Sequence, residues 1–173
     1  MASVPKYSLI ERERRFLTDP SGLGELLARP FRHVHDIYIE NSRMRLRRVR
    51  GPEKGEIVCK LCKKYEPLSP SETPITNIYL SLSEYEVLAT LRGRHIIKRR
   101  YGVVHSHRPY SVDVFEGELE GLVLAETDMA DGDAPDFPGW IVRDVTADRR
   151  FTGGELSRTS FADLSRALSE GGQ

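Results

Sequence analysis

About nine stretches of this chain alternate with period two, and in several the polar positions repeat a single sign of charge. The stretches cover residues 7–17, 31–40, 43–50, 56–65, 75–82, 95–104, 110–115, 122–127 and 140–145. Alternate residues of a strand share a face. Arg43, Arg45 and Arg47 therefore lie together, with Met44 and Leu46 opposite. Lys60 and Lys64 share a face with Cys62 between them, and Lys98 and Arg100 share a face with Ile97 opposite. Acids repeat in the same way at Glu11 and Glu13, and at Glu126 and Asp128. Like charges so placed repel. Water and salt screen that repulsion on an open sheet, and charge alone favours this solvated arrangement. The alternative turns these faces into a wet barrel, where basic strands surround a polyanion and acidic strands hold its cations.

The segments between the strands are short and helices are few. Residues 23–28, 84–91 and 156–168 read as helices, the second opened by a Ser83–Glu86 capping box. In the third, Phe161, Leu164 and Leu168 share one face. Residues 67–74 and 131–139 read as loops, and residues 171–173 as a fraying end. The chain is thus expected to be mainly β (α+β): an antiparallel barrel with a few helices packed outside, one domain over residues 1–173. Phe16, Phe115 and Trp140 are expected as packing outside the barrel.

Lysine plus arginine equals aspartate plus glutamate, 26 against 26, which argues against a broad nucleic-acid surface. No apolar run nears the roughly 20 residues that span a bilayer, and no signal-peptide core follows Lys6, so no membrane role and a cytoplasmic location are expected. Cys59 and Cys62 are three apart, hence on opposite faces, with no second pair to complete a zinc site. No histidine shows ligand spacing, and His105–His107 reads as a hairpin turn.

The order of the charged strands carries a resemblance. Glu11-Arg12-Glu13-Arg14-Arg15-Phe16 closely resembles the E-x-E-x-K-F signature of the CYTH family, the triphosphate tunnel metalloenzymes. Downstream, Arg45-Leu46-Arg47, Leu61-Cys62-Lys63-Lys64, Lys98-Arg99-Arg100-Tyr101, Val112-Asp113-Val114-Phe115, Glu126-Thr127-Asp128 and the segment 144–151 resemble the family's later strands in the same order. The resemblance implies an eight-stranded antiparallel closed tunnel barrel, a Mg²⁺ or Mn²⁺ requirement and a small-molecule triphosphate substrate. It implies metal binding by Glu11, Glu13, Glu126 and Asp128, and triphosphate binding by Arg45, Arg47, Lys64, Lys98, Arg100 and Arg150. Arg15, Tyr38 and Asp113 are the implied catalytic residues, Asp113 contributing to the metal through water. The resemblance also implies a monomer or homodimer, as family members often are.

Two positions depart from the family pattern. Arg15 replaces a lysine, and an arginine stays protonated, so it can orient water but not deprotonate it. The segment 75–79 lacks the acid pair common there, with Asn77 at its centre. Three functions stay open: metal-dependent hydrolysis of inorganic or organic triphosphate, an adenylate cyclase of class IV type making cyclic AMP from ATP, and a non-catalytic sensor that binds polyphosphate or a nucleotide triphosphate.

Overall fold

The computed structural model describes residues 4–129 and 136–170. The expected loop over 131–139 falls mostly outside them, and the fraying end at 171–173 wholly so. The strands are β1 (Leu9–Arg12), β2 (Arg14–Thr18), β3 (Arg32–Ile39), β4 (Met44–Arg50), β5 (Ile57–Lys64), β6 (Glu72–Leu80), β7 (Gly93–His105), β8 (Arg108–Phe115), β9 (Val123–Thr127) and β10 (Ile141–Asp144). They form one antiparallel sheet in the order β1-β6-β5-β4-β3-β7-β8-β9-β2-β10.

This differs from the expected closed barrel of eight strands, because among the described residues the hydrogen-bonded ladder has ten strands and open edges at β1 and β10. The cause is a break in the expected strand 7–17. Its first part pairs with β6 and its second with β9, while Glu13 between them donates its N–H to the Ser71 carbonyl at 2.9 Å. The chain thus passes from one edge of the sheet to the strand beside the other edge through a single residue. Arg15 on β2 and Tyr38 on β3 lie within electrostatic reach of each other, although β7, β8 and β9 separate their strands. The sheet must therefore curl with the charged face inside.

The outer face is covered by apolar packing. Phe16, Tyr101, Val112, Val123 and Ala125 pack with Leu26 of α1 (Gly24–Leu27). Ile37, Leu46 and Cys59 pack with Tyr85 of α2 (Leu82–Leu88). The capping box of α2 is Ser81 with Glu84, two residues earlier than expected. Both Ser81…Glu84 and Ser83…Glu86 have the required spacing, so spacing alone could not choose between them. The expected helix 156–168 is two helices, α3 (Gly153–Leu156) and α4 (Phe161–Glu170). Ser160 starts the second by accepting the Asp163 N–H at 3.2 Å. Strand β6 begins three residues before the expected 75, since Glu72 to Pro74 are drawn into pairing with β1.

One end of the inward face is apolar. Ile96, Phe115 and Leu124 pack there with Phe151, Leu156 of α3 and Leu164 of α4. Phe115 belongs to this inner cluster rather than to outer packing, because it shares the parity of Asp113. The hairpin at Ser106 and His107 is as expected; both residues take positive φ, 47° and 66°.

Candidate active site

Period two and the observed register bring most of the expected residues onto the inward face. Arg45 and Arg47 stand on β4, Lys60 and Lys64 on β5, Lys98 and Arg100 on β7, Asp113 on β8, Glu126 on β9 and Arg15 on β2. The sheet register sets Arg45 beside Tyr38 and Arg47 beside Asp36. Arg12, Arg14, Arg48 and Arg99 take the other parity and pair outside, for example Arg12 with Glu72 and Arg14 with Asp144.

Two buried acids organise the cations. Asp36 is 0% exposed and accepts Arg47 Nε at 2.5 Å and Nη2 at 2.6 Å, with Arg45 Nε 3.7 Å away. Although burial works to raise its pKa, the Arg47 and Arg45 charges hold the carboxyl far below the usual range. Asp113 is also 0% exposed, and accepts Lys98 Nζ at 2.5 Å and Arg100 Nε and Nη2 at 2.6 Å each. Burial pushes Lys98 below the ordinary lysine range, with Arg100 and Arg47 adding to it, even against Asp113. Both acids fix the guanidinium planes by bidentate contact.

The remaining acids form a chain along the face. Glu126 accepts Arg100 Nη2 at 2.7 Å and Arg15 Nε at 3.2 Å, while Arg15 Nη2 reaches Glu13 at 3.2 Å. Glu11 accepts Lys64 Nζ at 2.6 Å. The two central acids are driven apart. Against burial, Lys98, Arg100 and Arg15 hold Glu126 well below the usual range. Glu13 is pushed up, by burial first and then by the Glu126 and Glu11 charges. Glu11, Glu13, Glu126 and Asp128 all line one cavity of about 490 Å³, walled also by Gly102 and Ser111. Asp128 is exposed at its rim. Among the described residues, no group of three or more His, Cys, Asp or Glu side chains is gathered closely enough to hold a metal ion, and Glu11, Glu13 and Glu126 are each paired with a cation.

Arg150 is not brought to this face. It folds back on Asp148 at 2.7 Å and donates to the Ala167 carbonyl at 3.0 Å. Tyr38 is inward, and burial, with Asp36 behind it, raises its phenol above the ordinary value.

Sequence reasoning gave three residues here no role in the site. Asp36 is the counter-charge of the arginine strand. Lys60 is half-buried beside Arg47 and, among the described residues, forms no ion pair. Burial and the Arg47 and Arg45 charges lower its pKa. Asn77 is the third: its Oδ1 and Arg45 Nε are buried without hydrogen-bond partners, at positions flanking Cys62 in one cross-strand row. Their inward parity was readable; their partners were not.

No family model matches the sequence. The chain is 30% identical over 149 residues to the inorganic triphosphatase of Nitrosomonas europaea, an alignment covering 83% of this chain and 93% of that protein. The chain belongs to the CYTH family. The inorganic triphosphatase of Acetivibrio thermocellus is 36% identical over 81 residues, 46% of this chain and 52% of that protein. A solved inorganic triphosphatase structure aligns with a TM-score of 0.52 at 24% identity, over 91% of this chain and 95% of that one; at such identity the likeness is one of fold. The CYTH chain described here therefore combines a curled antiparallel sheet with a charged inner face and an acid-lined cavity.

Proposed function

We propose that this protein hydrolyses a small triphosphate, inorganic triphosphate first, bound along the inward face. The observation that carries the reading is one cavity lined by Glu11, Glu13, Glu126 and Asp128, whose Glu11, Glu13 and Glu126 pair with the inward cations Lys64, Arg15 and Arg100. In this reading β1 and β2 act as one strand, so that eight strands surround a tunnel and β10 is an addition to it.

A triphosphate would replace the carboxylates as partner of the inner cations. Lys60, which has no ion pair among the described residues, is its first anchor, with Arg45, whose Nε lacks a hydrogen-bond partner, beside it; Arg47, Lys98 and Arg100 follow, held in place by Asp36 and Asp113. Lys64 and Arg15 would exchange Glu11, Glu13 and Glu126 for phosphate oxygens, which releases those carboxylates. Their hard oxygens fit Mg²⁺ or Mn²⁺, and the raised Glu13 carboxyl is the mark of crowded acids that a cation would relieve. Glu11, Glu13 and Glu126 would hold the metal, with Asp128 at the rim; when bound it would neutralise charge on the phosphates. Arg15 remains protonated and orients water, and Tyr38, also protonated, positions that water by hydrogen bonding. Asp113 acts by fixing Lys98 and Arg100. Arg150 has no part in this arrangement. Because phosphoryl transfer needs mainly positioning and charge neutralisation, such a face supplies what the chemistry requires. The protein would work in the cytoplasm as a monomer or homodimer, its whole length one tunnel domain.

The test is product analysis with Mg²⁺ or Mn²⁺ on inorganic triphosphate, thiamine triphosphate and ATP. Phosphate release from triphosphate, lost in Glu13→Ala, supports the proposal. Cyclic AMP with pyrophosphate, or tight binding without turnover on all three, would refute it.

A further inference from the structure

Glycine at the start of α3 has no backbone cause at position 153. Gly153 does not take a positive φ, and glycine in a helix is destabilising relative to alanine. What requires glycine is a neighbour. A Cβ at Gly153 would fall 1.9 Å from Tyr38 Oη and 2.8 Å from Cζ. The next residue, Gly154, would place its Cβ in open space, with nothing within 4 Å. The demand for space is thus confined to one residue of the pair and aimed at the hydroxyl end of one phenol.

Tyr38 lies on β3 opposite Arg45, with Arg15, Arg45 and Arg47 within electrostatic reach. Its phenol is held between those cations and the backbone of α3. The atom a Cβ would meet is the tip of a side chain, so a methyl group there would move the phenol rather than stop the helix forming. We propose that Gly153 is a positioning residue: its missing side chain is the seat of the Tyr38 hydroxyl, and the C-terminal helices thereby set where that hydroxyl points on the inner face. The inference rests on the reading of this face as a triphosphatase site. Displacement by about 1 Å is enough to cost on the order of 100-fold in rate where a group must meet reacting atoms.

The experiment compares the wild type with Gly153→Ala, Gly154→Ala, Tyr38→Phe and the Gly153→Ala/Tyr38→Phe double variant. Each is assayed for phosphate release from inorganic triphosphate with Mg²⁺ and for melting temperature. Gly153→Ala and Tyr38→Phe should each lower kcat by roughly 10- to 100-fold with little change in KM. The double variant should be no slower than the worse single one, and Gly154→Ala should match the wild type. Removing the hydroxyl should also raise the melting temperature of Gly153→Ala. Additive losses in kcat, full kcat in Gly153→Ala, or equal harm from Gly154→Ala would overturn the proposal. If the wild type releases no phosphate, the triphosphatase reading fails, and the melting temperatures still decide the seat: coupled effects of the two substitutions uphold it, and independent effects overturn it.

Discussion

Asp36→Asn should be among the most damaging single changes to stability. The side chain is 0% exposed and holds Arg47 through two contacts, of 2.5 and 2.6 Å. Asparagine keeps the shape and removes the charge. It leaves Arg47, 7% exposed, and Arg45 beside it without their buried counter-charge. Breaking a buried pair from one side costs about 3–5 kcal/mol, since the remaining charge stays desolvated. For a chain of this size, each kcal/mol shifts the melting temperature by about 2–4 °C, so the fall should be roughly 6–20 °C. The pH dependence has a definite sign. The folded carboxyl titrates below its ordinary 3.8, so its contribution is present above that value and is lost as pH falls through the folded pKa. The wild-type advantage over Asp36→Asn should therefore be full at neutral pH and shrink only in strong acid. Added inorganic triphosphate should restore more stability to the variant than to the wild type, because the anion supplies the missing charge. Thermal unfolding followed by circular dichroism reads all three effects. A loss under about 1 kcal/mol, the range of exposed pairs, would refute the claim that Asp36 neutralises a buried arginine cluster.

Three further outcomes follow from the same geometry. Glu13 titrates above its ordinary 4.5, so the metal-free protein should lose stability as pH rises from that value through the folded pKa; Mn²⁺ should reverse the loss, and a pH-independent melting temperature that Glu13→Gln leaves unchanged would count against this. Arg150→Ala should keep kcat/KM within about twofold, as its partners are Asp148 and the Ala167 carbonyl; a loss of tenfold or more would return Arg150 to the substrate site. Asn77→Leu removes a buried unpartnered oxygen, so stability should hold or rise while KM for triphosphate rises by roughly fivefold or more; lower stability with unchanged KM would mean that Asn77 is only structural.

What could be read before folding, and what could not, divides along the range of the interaction. Parity is local, and it alone put Arg45, Arg47, Lys98 and Arg100 on one face. Pairing is not local. The break at Glu13 exists because residues 9–12 and 14–18 find different partners, β6 and β9, far along the chain. Nothing in residues 7–17 could announce it. Asp36 was missed for a related reason: it is the one acid in its strand, and only the register of the β3–β4 hairpin places it opposite Arg47. Arg150 shows the reverse case. It follows a strand with matching charges, but Asp148 accepts its backbone N–H at 3.1 Å and its guanidinium, so the side chain pairs locally. Burial then separates the acids themselves. Asp36 and Asp113 are sealed in and paired with several donors. Glu11, Glu13 and Glu126 keep part of their surface open and line the cavity. Depth along the face, which no sequence pattern encodes, thus separates the acids that position cations from those free to change partners.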